Sequence, residues 1–271
     1  MFWTRLASGI VLVVVALIVL ISGGPILAGT LFVISLIGLH EWYRALGLEK
    51  NKKILSPLNV CGYFGTAMYY LLLFLELQAY TMTVLIGVLI LMMSVYVFAY
   101  PRYRTEEITG AFFGVVYVSV MLSCIYELRL IEDGVFLVWL IFISSWGCDT
   151  CAYCIGMLFG KHKMSPKLSP KKSVEGAVGG VAGAVLIGVL YGLAVGSRIK
   201  AEEGHLLPFA IICGAGALIS MIGDLAASAV KRNHEIKDYG NLIPGHGGIL
   251  DRFDSVIFIA PVIYYLAVIL M

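Results

Sequence analysis

Apolar runs of roughly 20 residues, the length needed to cross a ~30 Å hydrocarbon core, recur along this chain with short polar clusters between them. Nine are read, at about 6–22, 25–41, 57–76, 80–99, 108–126, 134–157, 177–196, 206–228 and 254–271. The pattern predicts an all-α, polytopic integral membrane protein with about nine transmembrane helices. The first run is not expected to be a cleaved signal, because Gly23-Gly24-Pro25 leads directly into a second apolar run without a small-residue cleavage pattern.

Composition agrees with that pattern. Of 271 residues, 60% are hydrophobic and only 13% charged, which excludes an ordinary soluble domain, where about a quarter are charged. The net charge of +2 identifies no partner, and no nucleic-acid partner is expected. Where the charges sit is more informative. Arg5, the segment with Arg44, Lys50, Lys52 and Lys53, the pair Arg102 and Arg104, the five lysines 161, 163, 167, 171 and 172, and Lys231, Arg232, Lys237 and Arg252 all fall on one side of the nine spans. Only Arg129, Arg198 and Lys200 fall on the other, and this bias predicts a cytosolic N-terminus and an outside C-terminus. The cysteines 61, 124, 148, 151, 154 and 213 lie in spans or at their edges and form no disulfide framework. Cys148, Cys151 and Cys154 read as small polarizable side chains at a helix contact rather than as a soft-metal site.

The chemistry is concentrated towards the C-terminus. Residues 1–130 read as a transmembrane anchor and packing region, and 131–271 as a catalytic region with cytosolic loops at 159–176 and 229–253. His40-Glu41-Trp42-Tyr43-Arg44 closes the second span and reads as interfacial anchoring. Glycines 176, 179, 180, 183 and 188 give the seventh span the small-xxx-small spacing of close helix packing.

Asp149 lies roughly 22 Å along an inward-running sixth span and Asp224 about 27 Å along the eighth, so two helices carry a carboxylate to one cytosolic layer. An acid at that depth is costly unless it faces a partner or a site, and a metal role is the default reading. Ser228 and Lys231 follow Asp224 at i+4 and i+7 on one helix face, and Arg232 adds a fork suited to phosphate oxygens. Beyond the Pro244-Gly245-His246-Gly247-Gly248 turn, Asp251 and Asp254 stand at i and i+3 with Arg252 between them. Gly247 and Gly248 let backbone N–H groups approach a phosphate. Hard oxygen ligands beside cations suit a Mg²⁺-nucleotide. The loop with Lys167, Ser169, Lys171 and Lys172 reads as substrate binding beside that acidic layer, with Glu175 as an ion-pair partner of Lys171 or Lys172 or as a supporting group. A P-loop is excluded, since Gly156 to Lys161 has the wrong spacing and lacks the following Ser or Thr. An ion-coupled transporter also places acids in spans, but it predicts them near the bilayer midplane and in both halves.

The segment from Ser228 to Asp254, SAVKRNHEIKDYGNLIPGHGGILDRFD, resembles the C-terminal signature of the phosphatidate cytidylyltransferase (CDP-diacylglycerol synthase) family at Ser228, Lys231, Arg232, Lys237, Asp238, His246, Gly247, Gly248, Asp251, Arg252 and Asp254. Upstream, Asp149, Ala152-Tyr153, Gly160-Lys161 and Ser169-Pro170-Lys171-Lys172 are similar to the family's second block, with Ser173 and Val174 departing from it. The resemblance implies transfer of CMP from CTP to phosphatidate, with Mg²⁺ required, a monovalent cation such as K⁺ sharing the site, and a homodimer in the inner membrane with its site facing the cytosol. It also implies Asp224 and Asp251 as metal ligands, Lys231 and Arg252 as catalytic cations, and Lys237 and His246 among the substrate-binding residues.

Overall fold

The computed structural model describes residues 2–48, 56–200, 204–243, 245 and 247–271. His246, Lys50, Lys52 and Lys53 therefore lie outside the described residues. Each apolar run forms a helix: α1 (Phe2–Ser22), α2 (Gly24–Ala45), α3 (Pro57–Phe74), α4 (Thr81–Phe98), α5 (Thr105–Leu130), α6 (Gly134–Phe159), α7 (Val174–Val195), α8 (Leu206–Asn233) and α9 (Leu250–Leu270). Among the described residues, seven helices are long and apolar enough to cross a membrane, and α1 and α3 occupy the other two apolar runs. Met82, Ile86, Ile90 and Val97 on α4 are exposed. A row of bare apolar side chains on a helix is costly in water and ordinary against lipid, so this is a multi-pass membrane fold.

Two elements depart from an all-helical reading. Lys163–Ser165 (β1) and Ser169–Ser173 (β2) pair antiparallel in the loop between α6 and α7, with Lys163 opposite Ser173 and Ser165 opposite Ser169. Pro166-Lys167-Leu168 makes the turn, where a proline with fixed φ suits the reversal of direction. The second departure lies inside two helices. Val115–Val120 of α5 and Ile143–Gly147 of α6 are π-helical turns, each of which inserts a residue and rotates the later side chains about the helix axis.

The chain divides into two compact units, residues 1–123 with 234–252 and residues 124–233 with 253–271. Inside the first, hydroxyls tie helices together: Ser35 with Tyr70 at 2.8 Å, Thr66 with Ser119 at 2.8 Å, and Tyr69 with Ser123 at 3.2 Å. With no water in the bilayer, such pairs are how polar side chains in spans are satisfied. The second unit is built on small residues. Cys148 of α6, Ala184 of α7 and Ala217 of α8 form its buried centre. A Cβ on Gly180 would lie 2.9 Å from both Ala152 Cβ and the Cys148 carbonyl oxygen, and one on Gly176 would lie 2.7 Å from the Ala152 carbonyl oxygen. The α7 glycines therefore let α6 approach at backbone distance. Cys148 packs against Gly180, Cys151 against Gly183 and Cys213 against Gly188, which fits the structural reading of these thiols; Cys154 is exposed.

Gly180→Val should destabilise the second unit by about 1–3 kcal/mol, the usual cost of forcing volume into a closed contact. Thermal unfolding of purified protein in detergent, with Leu186→Ala on an exposed α7 position as the neutral control, checks this. Equal midpoints for the two variants would show that the glycine contact is not tight.

Candidate active site

Asp149 and Asp224 come from different helices and line one cavity of ≈ 500 Å³. Cys148 and Asp149 follow the α6 π turn, with Cys148 turned into the core and Asp149 exposed. Asp224 lies two turns before the end of α8, held near α9 because Gly223 packs against Phe258, where a Cβ would be 2.8 Å away. Lys171 and Lys172 of β2 enter the same cavity. The Lys172 ammonium forms an ion pair with Asp224 Oδ2, both side chains about a quarter exposed at 27% and 28%. In a partly buried place such a pair is retained only where the geometry holds the two charges together. The remaining wall is apolar: Tyr153 and Met157 of α6, Met164 of β1, Ala177 of α7 and Met221 of α8. The cavity thus has a charged end and a greasy side, a shape suited to an anionic headgroup with hydrocarbon attached.

The hairpin that delivers the lysines is fastened at its base. Ser173 caps α7, its Oγ accepting from Gly176 N at 3.1 Å, and Val174 N donates to the His162 carbonyl at 2.9 Å. Glu175 accepts from Lys161 N at 3.1 Å and from His162 N at 3.2 Å, and pairs with His162 Nδ1 at 2.5 Å. Its side-chain partner is therefore His162, while Lys172 turns to Asp224.

A second constellation lies in the other unit, around residues 239–251. Gly247 has φ +87°, which an L side chain rarely tolerates, and its carbonyl accepts from Ile243 N at 2.9 Å to close the turn. Asp251, 6% exposed in the first turn of α9, accepts on Oδ2 from Tyr239 N at 2.8 Å and Gly248 N at 3.0 Å. The α9 helix starts at Leu250, so Asp251 and Asp254 are helical at i and i+3 as expected; Asp254 Oδ1 accepts from Ser255 N at 2.8 Å.

The structure thus brings Asp149, Lys171, Lys172 and Asp224 around one cavity, and Gly247, Gly248 and Asp251 into one turn. Lys167 is exposed on the hairpin turn, and Ser169 opens β2 half-buried. Ser228 and Lys231 continue α8 beyond Asp224, half-buried, with Arg232 exposed near its end. Lys237, Asp238 and Arg252 are exposed. Among the described residues, no three or more His, Cys, Asp or Glu side chains form a group able to hold a metal by themselves.

Glu41, expected as part of an interfacial anchor, is instead engaged inside the protein. It is 4% exposed, and its carboxylate accepts from Ile249 N at 3.0 Å and Leu250 N at 2.9 Å. Its neighbours are equally engaged: Trp42 Nε1 donates to the Gly110 carbonyl at 3.0 Å and its ring stacks on Tyr239, Tyr43 OH donates to the Ala111 carbonyl at 3.2 Å, and Arg44 Nη2 donates to the Tyr239 carbonyl at 2.5 Å. The anchoring pattern at the end of α2 is a packing hub. Its only sequence signal was a carboxylate among aromatics on an apolar helix, too polar for an anchor alone.

Comparison with known proteins places these features. Phosphatidate cytidylyltransferase from Staphylococcus saprophyticus is 30% identical over 270 residues, covering 97% of this chain and 98% of that protein. The Staphylococcus epidermidis protein of the same name is 29% identical over 269 residues, with coverage of 97% and 98%, and that of Bacillus subtilis is 27% identical over 270 residues, with 97% and 96%. Residues 3–270 match the cytidylyltransferase family. With acids, lysines and a glycine turn set on apolar helices, and that match running nearly end to end, the chain belongs to the cytidylyltransferase family.

Proposed function

We propose that this protein transfers CMP from CTP to phosphatidate, giving CDP-diacylglycerol and pyrophosphate. The observation that carries the reading is the cavity in which Asp149, Asp224, Lys171 and Lys172 form a charged end beside an apolar wall. Membership of the family and the activity for which the relatives are named support it. The phosphate oxygen of phosphatidate attacks the α-phosphorus of CTP, the bond from that phosphorus to the bridging oxygen breaks, and pyrophosphate leaves. The lipid phosphate is already an anion, so the step asks the protein for position and charge neutralisation more than for a base.

Lys171 and Lys172 would meet phosphate oxygens at the charged end, and the apolar wall would receive the hydrocarbon of the lipid. Lys231, Arg232 and Arg252 would neutralise further phosphate charge, with Ser228, Lys167, Ser169, Lys237 and His246 binding substrate. The donor set fits Mg²⁺, which is held by one or two carboxylates and completes its shell with water and substrate phosphates. Asp149 and Asp224 supply that pair from one cavity, and Asp251 and Asp254 belong to the proposed acidic set on the family resemblance and their spacing. When bound, the ion would neutralise triphosphate charge. The dimer and a K⁺ ion sharing the site rest on the resemblance alone.

The reading extends to placement: nine crossings in the cell (inner) membrane, a cytosolic N-terminus, a C-terminus outside and a site open to the cytosol, supported by the distribution of Lys and Arg.

Asp224→Asn should lower CTP-dependent formation of CDP-lipid by at least about 100-fold with the protein still folded, and Lys172→Met should lower kcat/KM for phosphatidate by about tenfold or more. Turnover assays on purified protein decide this, and wild-type rates in both variants would remove the cavity from the chemistry. Stripping divalent cations with EDTA should abolish turnover and added Mg²⁺ restore it; activity that persists through chelation would exclude the metal role. For topology, a periplasm-dependent reporter should be active when fused at the C-terminus and silent at the N-terminus, and the reverse pattern would invert the orientation.

A further inference from the structure

A buried carboxylate outside the signature segment holds that segment in place. Glu41 sits on the last turns of α2, and its side chain crosses to the start of α9. Oε1 accepts from Ile249 N and Oε2 from Leu250 N, consecutive amides that the helix itself leaves without partners. The positive end of the helix dipole adds to the attraction. The fit is close: a Cβ on Gly240 or on Gly248 would collide with the Glu41 carboxylate, so the carboxylate fills the space that both glycines leave open. Arg44, one turn further along α2, donates to the Tyr239 carbonyl, and Tyr239 N donates to Asp251. The 239–251 turn is therefore gripped at two points by α2 and once more by its own aspartate.

We propose that Glu41 is a positioning residue for the cytidylyl transfer, fixing the Gly247-Gly248 backbone and the Asp251 carboxylate in their working geometry. The inference rests on the proposed activity. Glu41 touches no substrate; it acts by keeping two amides and the residue after them from drifting. A glutamate suits the task because both of its oxygens accept. Glutamine would turn an NH₂ group towards one of the amide N–H groups, and alanine would leave both unmet in a closed space.

The test compares full-length wild type, Glu41→Gln, Glu41→Ala and Arg44→Ala, purified in detergent and assayed for transfer from CTP to phosphatidate. Thermal midpoints and amide hydrogen exchange over residues 239–251 are measured on the same preparations. Glu41→Gln should lower kcat by about 10- to 100-fold with KM for phosphatidate within about twofold, while exchange rises in that segment and the midpoint stays close to wild type. Combining Glu41→Gln with Asp251→Asn should cost less than the product of the two single losses, because both act on one turn. Arg44 is exposed at the protein surface, so its truncation tests the same grip if the Glu41 variants do not fold, and a kcat loss with faster exchange there supports the proposal. Wild-type kcat in folded Glu41→Gln, or a loss that follows only the folded fraction, would overturn it. Wild-type protein that makes no CDP-lipid would take down the proposed activity and this inference together, whereas an active wild type with an indifferent Glu41 takes down only the inference.

Discussion

A carboxylate on an apolar helix persists only where a cation or an N–H group meets it, and this chain is arranged around meetings of that kind. Asp224 is met by Lys172, Asp251 by the amides of Tyr239 and Gly248, and Glu41 by those of Ile249 and Leu250. The penalty for an unmet charge in such surroundings amounts to several kcal/mol, so each pairing constrains the backbone that supplies the partner. The hairpin is fixed where Lys172 must reach Asp224, and the glycine turn is fixed where its amides must reach two acids.

Close approach of helices is the second condition. The α7 glycines remove the side chains that would separate it from α6, and that contact sets Asp149 beside the strand carrying Lys171 and Lys172. The π turn in α6 matters for the same reason. An inserted residue between Ile143 and Gly147 shifts the phase of everything after it, with the Cys148 thiol in the core and the adjacent carboxylate in the cavity.

Charge and grease share one cavity because lysines of a hairpin meet apolar side chains of three helices. For the proposed reaction between a water-soluble triphosphate and a bilayer lipid, that arrangement would let the charged group be neutralised without extracting the acyl chains from an apolar environment.

Much of this was legible in the residues. Nine apolar runs gave the helices, and the dense charge from Ser228 to Asp254 stood out between two of them, because apolar spans and charge clusters are properties of single residues and local windows. The pairing of Asp149 with Asp224 was foreseeable as a shared depth, since rise per residue is constant along a helix. Depth, however, says nothing about which way a side chain faces. The π turn, the short strands of the lysine loop, the choice of His162 rather than a lysine as partner of Glu175, and the reach of Glu41 to amides some 200 positions away all depend on contacts between distant segments. By itself the sequence determined where helices form and which residues carry charge. Tertiary structure decided which charges meet, because a carboxylate takes the nearest donor in space, and the order of residues along the chain does not specify that neighbour.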